Sequence, residues 1–276
     1  MTSKPLRMTI LTGLGVLATS CMLFPIYWLL VTSLKPTNEL FLRPPTLFPL
    51  HIDWSAYIDN VIQNHDFLRY IGNSAQLGLG TVFLSVALGT PAAYGLARLP
   101  LRGKHIFVLG MLVLQMFPGI MLAVPLYVMF SRLGLVNSLV AVSLAVTSRT
   151  LPFAILVLRP FFLDLPRDLE EAAAIDGSTP WGTFIRILLP LSLPGVATVA
   201  AFNFLSGWSD FLFSLTLLTD DSKRPVSMGL YRFISQYGIQ WNDLMAVSVV
   251  AAIPAVAVFF FAQRYLIAGL AVGAEK

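Results

Sequence analysis

The stretch LEEAAAIDGSTPWGTFIRILLPLSLP, residues 169–194, decides how the chain reads. It runs for about seven helical turns and is acidic and small-residued in a chain that is otherwise mostly apolar. Two short helices can be drawn from it. Asp164 or Asp168 is placed to cap the first, Pro166 suits its opening turn, and Glu170 and Glu171 favour the positive end of its dipole. Ala172, Ala173 and Ala174 give a smooth face that a second surface can approach closely. Gly177 stands where a helix ends on a left-handed residue. Thr179 caps the second helix, Pro180 takes its first position, and Phe184, Ile187 and Leu188 share one side. Pro190 and Pro194 close the unit.

What surrounds this stretch belongs in a membrane. Of 276 residues, 57% are hydrophobic and 12% charged, and the mean hydropathy is +0.77. A soluble domain carries about 25% charge. Six segments reach or approach the ~20 apolar residues a bilayer needs: roughly 9–34, 74–97, 106–130, 139–162, 191–217 and 244–267. Lipid offers the backbone no partners, so these are expected to be helices, and the alternation of a membrane barrel is absent. The expected fold is all-α: one polytopic domain over residues 1–276, with six spans and a polar loop at 164–190. Lys4 and Arg7 precede the first apolar run, and Ala18-Thr19-Ser20-Cys21 faintly resembles a lipoprotein cleavage box. Hydrophobicity continues to Leu34, longer than a signal-peptide core, so an uncleaved span is expected.

Charge orients the spans. Lys4, Arg7, Arg98, Arg102, Lys104, Arg159, Arg167, Arg186, Arg264 and Lys276 fall on one side if the N-terminus is cytoplasmic, ten basic residues against seven on the other. Both termini and the acidic loop are then inside. The net charge of +4, carried at span ends, suits this rule better than nucleic-acid binding. One cysteine excludes an internal disulfide framework, and no Cys/His cluster has metal-ligand spacing.

Several residues inside the spans invite a role. Pro118 and Gly119, after Gln115 and Phe117, should kink or loosen the third span, either to line a cavity or to adjust packing. Arg149 in the fourth should face a partner or water, or snorkel to an interface. The fifth carries Asn203, Trp208 and Asp210, the last serving either helix contacts with a partner subunit or the substrate. In the long loop 35–73, Trp54, Tyr57, Phe67 and Tyr70 are expected near the headgroup boundary.

Glu171-Ala172-Ala173, Asp176-Gly177, Phe184, Ile187, Leu189-Pro190 and Pro194 together resemble the EAA loop of binding-protein-dependent ABC importer permeases. Ser33-Leu34-Lys35, Asn73-Ser74 and the tail from Gln263-Arg264 to Gly273-Ala274-Glu275-Lys276 are similar to the sugar-importer permeases of the maltose type. Trp208-Ser209-Asp210 departs from that family's Trp-Asn-acidic pattern at its middle position. The resemblance implies a cytoplasmic loop that docks into a groove on an ATPase, with Glu170, Glu171, Ala172, Ala173, Asp176, Gly177 and Phe184 in the coupling contact. It implies a bacterial or archaeal cytoplasmic membrane, a homologous permease as heterodimer partner, two ATPase subunits holding ATP and Mg2+, and an extracellular or periplasmic solute-binding protein. It implies alternating access for a sugar or sugar-like polyol, with Gln115, Phe117, Arg149, Asn203, Trp208 and Asp210 as pathway candidates. A non-sugar solute such as a glycerophosphodiester is the alternative.

The chain has no G-x-x-x-x-G-K-[ST] phosphate cradle, no G-x-S-x-G elbow and no H-E-x-x-H helix, so neither ATP binding by a P-loop nor catalysis is expected of it. An ion-coupled transporter would need paired ionisable residues at mid-membrane, for which only Arg149 and Asp210 are available. An intramembrane enzyme lacks a catalytic group.

Overall fold

The computed structural model describes the backbone of residues 4–235 and 238–274, and side chains of residues 8–234 and 238–265. The tail signature beyond residue 265, and the basic Lys4 and Arg7, lie outside the described side chains. The chain forms two compact units, residues 1–67 with 230–253 and residues 68–229 with 254–276.

Among the described residues, four helices are long and apolar enough to cross a bilayer: α1 (Lys4–Ser33), α2 (His65–Arg98), α5 (Leu139–Asp164) and α11 (Trp241–Ala274). The third and fifth expected spans are not continuous rods. The third is α3 (Lys104–Gln115) and α4 (Ile120–Arg132), set at 102°, so the expected kink is a full break. Pro118 has no N–H to return to Leu114, and the chain tightens into i→i+3 bonds from Met116 to Val113 and from Phe117 to Leu114 before a new helix starts. The polar stretch 164–190 supplies α6 (Asp168–Ile175) and α7 (Pro180–Leu191). A bend of 76° at Ser192, between Pro190 and Pro194, joins α7 to α8 (Leu193–Trp208). The fifth span therefore stops at Trp208, short of the expected 217, and a short α9 (Leu212–Leu217) follows. Counting each bent pair as one crossing gives six.

In the larger unit, α5 is the spine. Around its first half, Leu77, Phe130, Val142, Val146, Phe213 and Leu217 form one core. Around its second half, Ala93, Ile155, Leu158, Phe162, Phe184 and Leu188 form another, which draws in the middle of α7. Small residues let α2 and α8 cross closely: a Cβ on Gly207 would lie 2.7 Å from the Leu77 carbonyl oxygen and 2.9 Å from the Gly78 Cα. Asn73 and Ser74, near the start of α2, clasp the loop that leads to α10 (Val226–Tyr231). The Asn73 amide donates to the carbonyls of Ser222 and Arg224, both at 2.9 Å, and the Ser74 hydroxyl accepts from the Val226 N–H at 3.0 Å.

In the smaller unit, the loop after α1 is stapled by two buried charges. The Lys35 ammonium donates to the Thr46 carbonyl and lies 5.0 Å from the Trp28 ring centre. Glu39 accepts from the Thr46 hydroxyl at 2.6 Å and from the Leu50 N–H at 3.1 Å. A strand pair, Ile234–Ser235 with Gly238–Ile239, precedes α11. Of the four aromatic residues expected at the headgroup boundary, Phe67 and, in the larger unit, Tyr70, whose ring packs on Gly229, are buried within the chain. The reason is that α2 begins at His65, ahead of the expected 74, and carries both rings inward on its first turns.

The Thr46 hydroxyl, with the Leu50 N–H and the nearby Lys35 charge, holds the Glu39 carboxyl below its ordinary value of 4.5 against the opposing effect of burial. A depressed folded pKa gives stability that is present above the unfolded value and lost as pH falls through the folded one. Melting of the purified protein is therefore expected to drop as pH is lowered below the ordinary carboxylate range, and Glu39→Gln should reduce that dependence.

Candidate coupling hairpin and membrane cleft

The hairpin's geometry follows from its caps. Asp176 is the C-cap of α6, and Gly177 follows with φ +78°. The Ser178 N–H reaches the Ala173 carbonyl at 2.9 Å and the Gly177 N–H reaches the Ala174 carbonyl at 3.1 Å, the paired bonds of a Schellman ending. The Thr179 hydroxyl then accepts from the Gly182 N–H at 3.1 Å, with Pro180 at the first position of α7. The start of α6 departs from expectation. Arg167 already has helical dihedrals (φ −67°, ψ −27°), so Asp168 sits inside the first turn and neither Asp164 nor Asp168 caps it. The acids of that turn still favour the helix dipole.

The base of the hairpin is welded to α2 and α5. Phe184 is 3% exposed, and its ring centre lies 4.8 Å from that of Tyr94 and 6.0 Å from that of Phe162. Glu170 accepts from the Tyr94 hydroxyl at 3.2 Å and lies 3.7 Å from the Arg98 Nε. Arg98 also donates to the Leu165 carbonyl. A five-residue π-turn, Phe184–Leu188, sets Phe184 and Leu188 into the same core. Of the residues expected on the contact surface, Ala173 and Phe184 are buried, and Glu170 is half-buried against Tyr94 and Arg98. Glu171, Ala172, Asp176 and Gly177 remain on its exposed rim. Beside them are two apolar side chains that the sequence reading passed over: Ile175, 87% exposed, and Trp181, 57% exposed. Their signal was available, since Ile175 lies two residues, about 200° of helix, from the inward Ala173.

The pathway candidates divide in the same way. Gln115, Phe117 and Arg149 come together with Thr150, Phe153 and Phe202 around a cleft of about 240 Å³ at the break between α3 and α4. Arg149 and Phe202 also line a neighbouring cleft of about 320 Å³, together with Asp210. Asn203 and Trp208 face neither. Asn203 is fully buried, accepting from the Ser85 hydroxyl at 2.8 Å and donating to the Val199 carbonyl at 2.9 Å. It is a clasp between α2 and α8. Trp208 is buried beside Phe204, and its carbonyl accepts from Ser74. Asp210 accepts from the N–H and hydroxyl of Ser214 at 2.8 and 3.0 Å, which ties it to the first turn of the short helix that replaces the end of the fifth span. Ser85→Ala is expected to cost about 1–3 kcal/mol by leaving the Asn203 oxygen unpaired, read as a lower melting temperature in detergent.

Residues 85–272 match the family described as binding-protein-dependent transport system inner membrane component. The chain is 31% identical over 255 residues to the diacetylchitobiose uptake system permease protein DasC of Streptomyces coelicolor, covering 92% of each. It is 33% identical over 272 residues to the trehalose transport system permease protein SugB of Mycobacterium tuberculosis, covering 98% of each. To the trehalose/maltose transport system permease protein MalG of Thermococcus litoralis it is 32% identical, covering 98% of this chain and 97% of that one. A chain in the crystal structure of a bacterial ABC transporter involved in the import of the acidic polysaccharide alginate shares the fold, with TM-score 0.79 and 21% identity over 96% of this chain and 99% of that one. The ion-coupled transporter and the intramembrane enzyme fall away: this is a multi-pass inner-membrane transport component, not a catalytic chain. With its bent spans, its polar hairpin and these full-length matches, the chain belongs to the binding-protein-dependent permeases of ABC importers.

Proposed function

We propose that this chain is the permease half of a heterodimeric, ATP-driven importer that moves a carbohydrate inward by alternating access. Residues 1–276 act as one permease domain with both termini and the hairpin on the cytoplasmic side of a bacterial or archaeal membrane. Two ATPase subunits bind ATP and Mg2+, and the hairpin seats against them. A solute-binding protein delivers the sugar from outside, and the chain has no role with nucleic acid.

The observation that carries this reading is the hairpin's two-sidedness. Its inner face is locked by Tyr94, Arg98 and Phe162 onto α2 and α5, while Ile175 and Trp181 stand exposed on its outer face. Apolar groups left bare on a polar, capped loop fit a docking surface, and a rigid base makes the loop a lever. The carbohydrate reading rests on the relatives named for diacetylchitobiose, trehalose and maltose. It rests also on the cleft, where Phe117, Phe153 and Phe202 offer aromatic faces and Gln115 an amide.

The experiment is purification of the tagged chain from its native operon, reconstitution, and uptake of labelled sugars with the cognate binding protein. The expected result is a co-purifying ATPase in two copies and ATP-dependent sugar uptake. A chain that purifies without an ATPase, or transport that ignores ATP, would contradict it.

A further inference from the structure

We infer that Arg98 is a positioning residue for the coupling step, fixing the hairpin's angle to α5 and making the end of α2 turn with it; this rests on the importer reading above. The backbone joins the hairpin to two helices only. Leu165, Pro166 and Arg167 lead into α6 from α5, and the bend at Ser192 leads out of α7 into α8. α2 ends at Arg98 and has no such link, so any movement it shares with the hairpin must pass through side chains.

Arg98 closes α2, and Tyr94 stands one turn back on the same face. The Arg98 side chain is 6% exposed. It donates to the carbonyl of Leu165, the residue on which α5 ends, and its Nε lies 3.7 Å from Glu170 Oε2 in the first turn of α6. One planar group thus touches the exit of α5 and the entry of α6 from the last turn of α2. The other Glu170 oxygen accepts from the Tyr94 hydroxyl at 3.2 Å, so both carboxylate oxygens are held from α2. The charges also suit their helices, a cation in the last turn of α2 and an acid in the first turn of α6. The apolar core around Ala93, Phe162 and Phe184 cannot replace this node. Apolar burial is non-directional and lets helices rotate against one another, whereas charge-assisted bonds from a planar fork set an angle and a register. With the node intact, a push on the rim turns α2 together with α5 and α8. Without it, ATP is spent on a hairpin movement that α2 does not follow.

The test uses the whole transporter in proteoliposomes with its solute-binding protein, and reads labelled-sugar uptake, ATP hydrolysis and melting temperature on one preparation. Arg98→Gln is expected to lower uptake per ATP hydrolysed about tenfold. Glu170→Gln, which keeps an acceptor for Tyr94 and removes the charge, should shift the ratio in the same direction. The double variant should lose no more than Arg98→Gln alone, because the two side chains act through one contact. Arg98→Lys keeps the charge without the planar fork and should fall between wild type and Arg98→Gln. If Arg98→Gln does not assemble, the ratios for Arg98→Lys and Glu170→Gln decide. An unchanged ratio in these variants, whether or not melting drops, would make the contact structural only; it would overturn the inference and leave the importer reading intact. Losses that multiply in the double variant would overturn it in the same way. Wild-type uptake that does not require ATP would overturn the importer reading and the inference together.

Discussion

Gly207→Leu is expected to stop the protein assembling, and Gly207→Ala to lower its melting temperature measurably. The alanine methyl would meet the Leu77 carbonyl oxygen at 2.7 Å and the Gly78 Cα at 2.9 Å. Both are backbone atoms of α2, so no rotamer change relieves the contact; the helices must separate. Overpacking of this kind costs about 1–3 kcal/mol for a single methyl. Separation here reaches further than one contact. The same crossing holds the Ser85–Asn203 bond and brings the Ser74 hydroxyl to the Trp208 carbonyl and the Val226 N–H. In a bilayer, where apolar burial between helices gains little over lipid, this close packing and these bonds are most of what joins α2 to α8. Fluorescence-detected gel filtration after a temperature series reads both variants. A leucine variant that melts with the wild type would show that the crossing is not a structural keystone.

Gly177→Leu is expected to leave the transporter assembled and near its normal stability, while uptake falls by about tenfold or more. Its φ of +78° is left-handed, which costs an ordinary L residue roughly 1–2 kcal/mol. Nothing lies within 4 Å of a Cβ built there, so the substitution brings strain without a clash. The chain relieves that strain by leaving the left-handed region, which breaks the Ser178–Ala173 and Gly177–Ala174 bonds and swings α6 against α7. Because Phe184 and Glu170 hold the base in place, the swing is confined to the rim that carries Glu171, Ala172, Ile175 and Asp176. Gly177→Asn tolerates the left-handed backbone better and should keep most of the uptake. ATP hydrolysis and uptake, measured together in proteoliposomes, separate uncoupling from loss of the complex. Normal uptake by the leucine variant would remove the hairpin's angle from the mechanism.

What the sequence made legible was local. The caps at Thr179 and Pro180 and the turn at Gly177 obey rules that reach three to five residues, and all were found where the residues required. Hydropathy marked the stretches that form the long apolar helices and bent pairs among the described residues, because about 20 apolar residues in a row is a signal that needs no partner. It did not measure the 102° break, since how far a proline bends a helix depends on what fills the opened side. Nor did it tell which face of the hairpin turns inward. Glu170 finds Tyr94 at a separation of 76 residues, and Asn203 finds Ser85 at 118. A polar residue in a span reads as functional by default, and only the fold distinguishes a clasp such as Asn203 from a cleft residue such as Gln115. The closing residues of α6 were read well and its opening was not, because helical dihedrals at Arg167 displaced both aspartates from the cap position.

The lever is tested most directly by placing a single cysteine at its exposed tip. In a Cys21→Ser background, which removes the chain's one native cysteine, Ile175→Cys is introduced and the transporter is expressed in intact cells. The account predicts that a membrane-impermeant maleimide added outside leaves the introduced thiol unlabelled, and that a short bifunctional crosslinker in inverted vesicles joins that thiol to the ATPase subunit. Labelling from outside, or a crosslink to no ATP-hydrolysing chain, would contradict it.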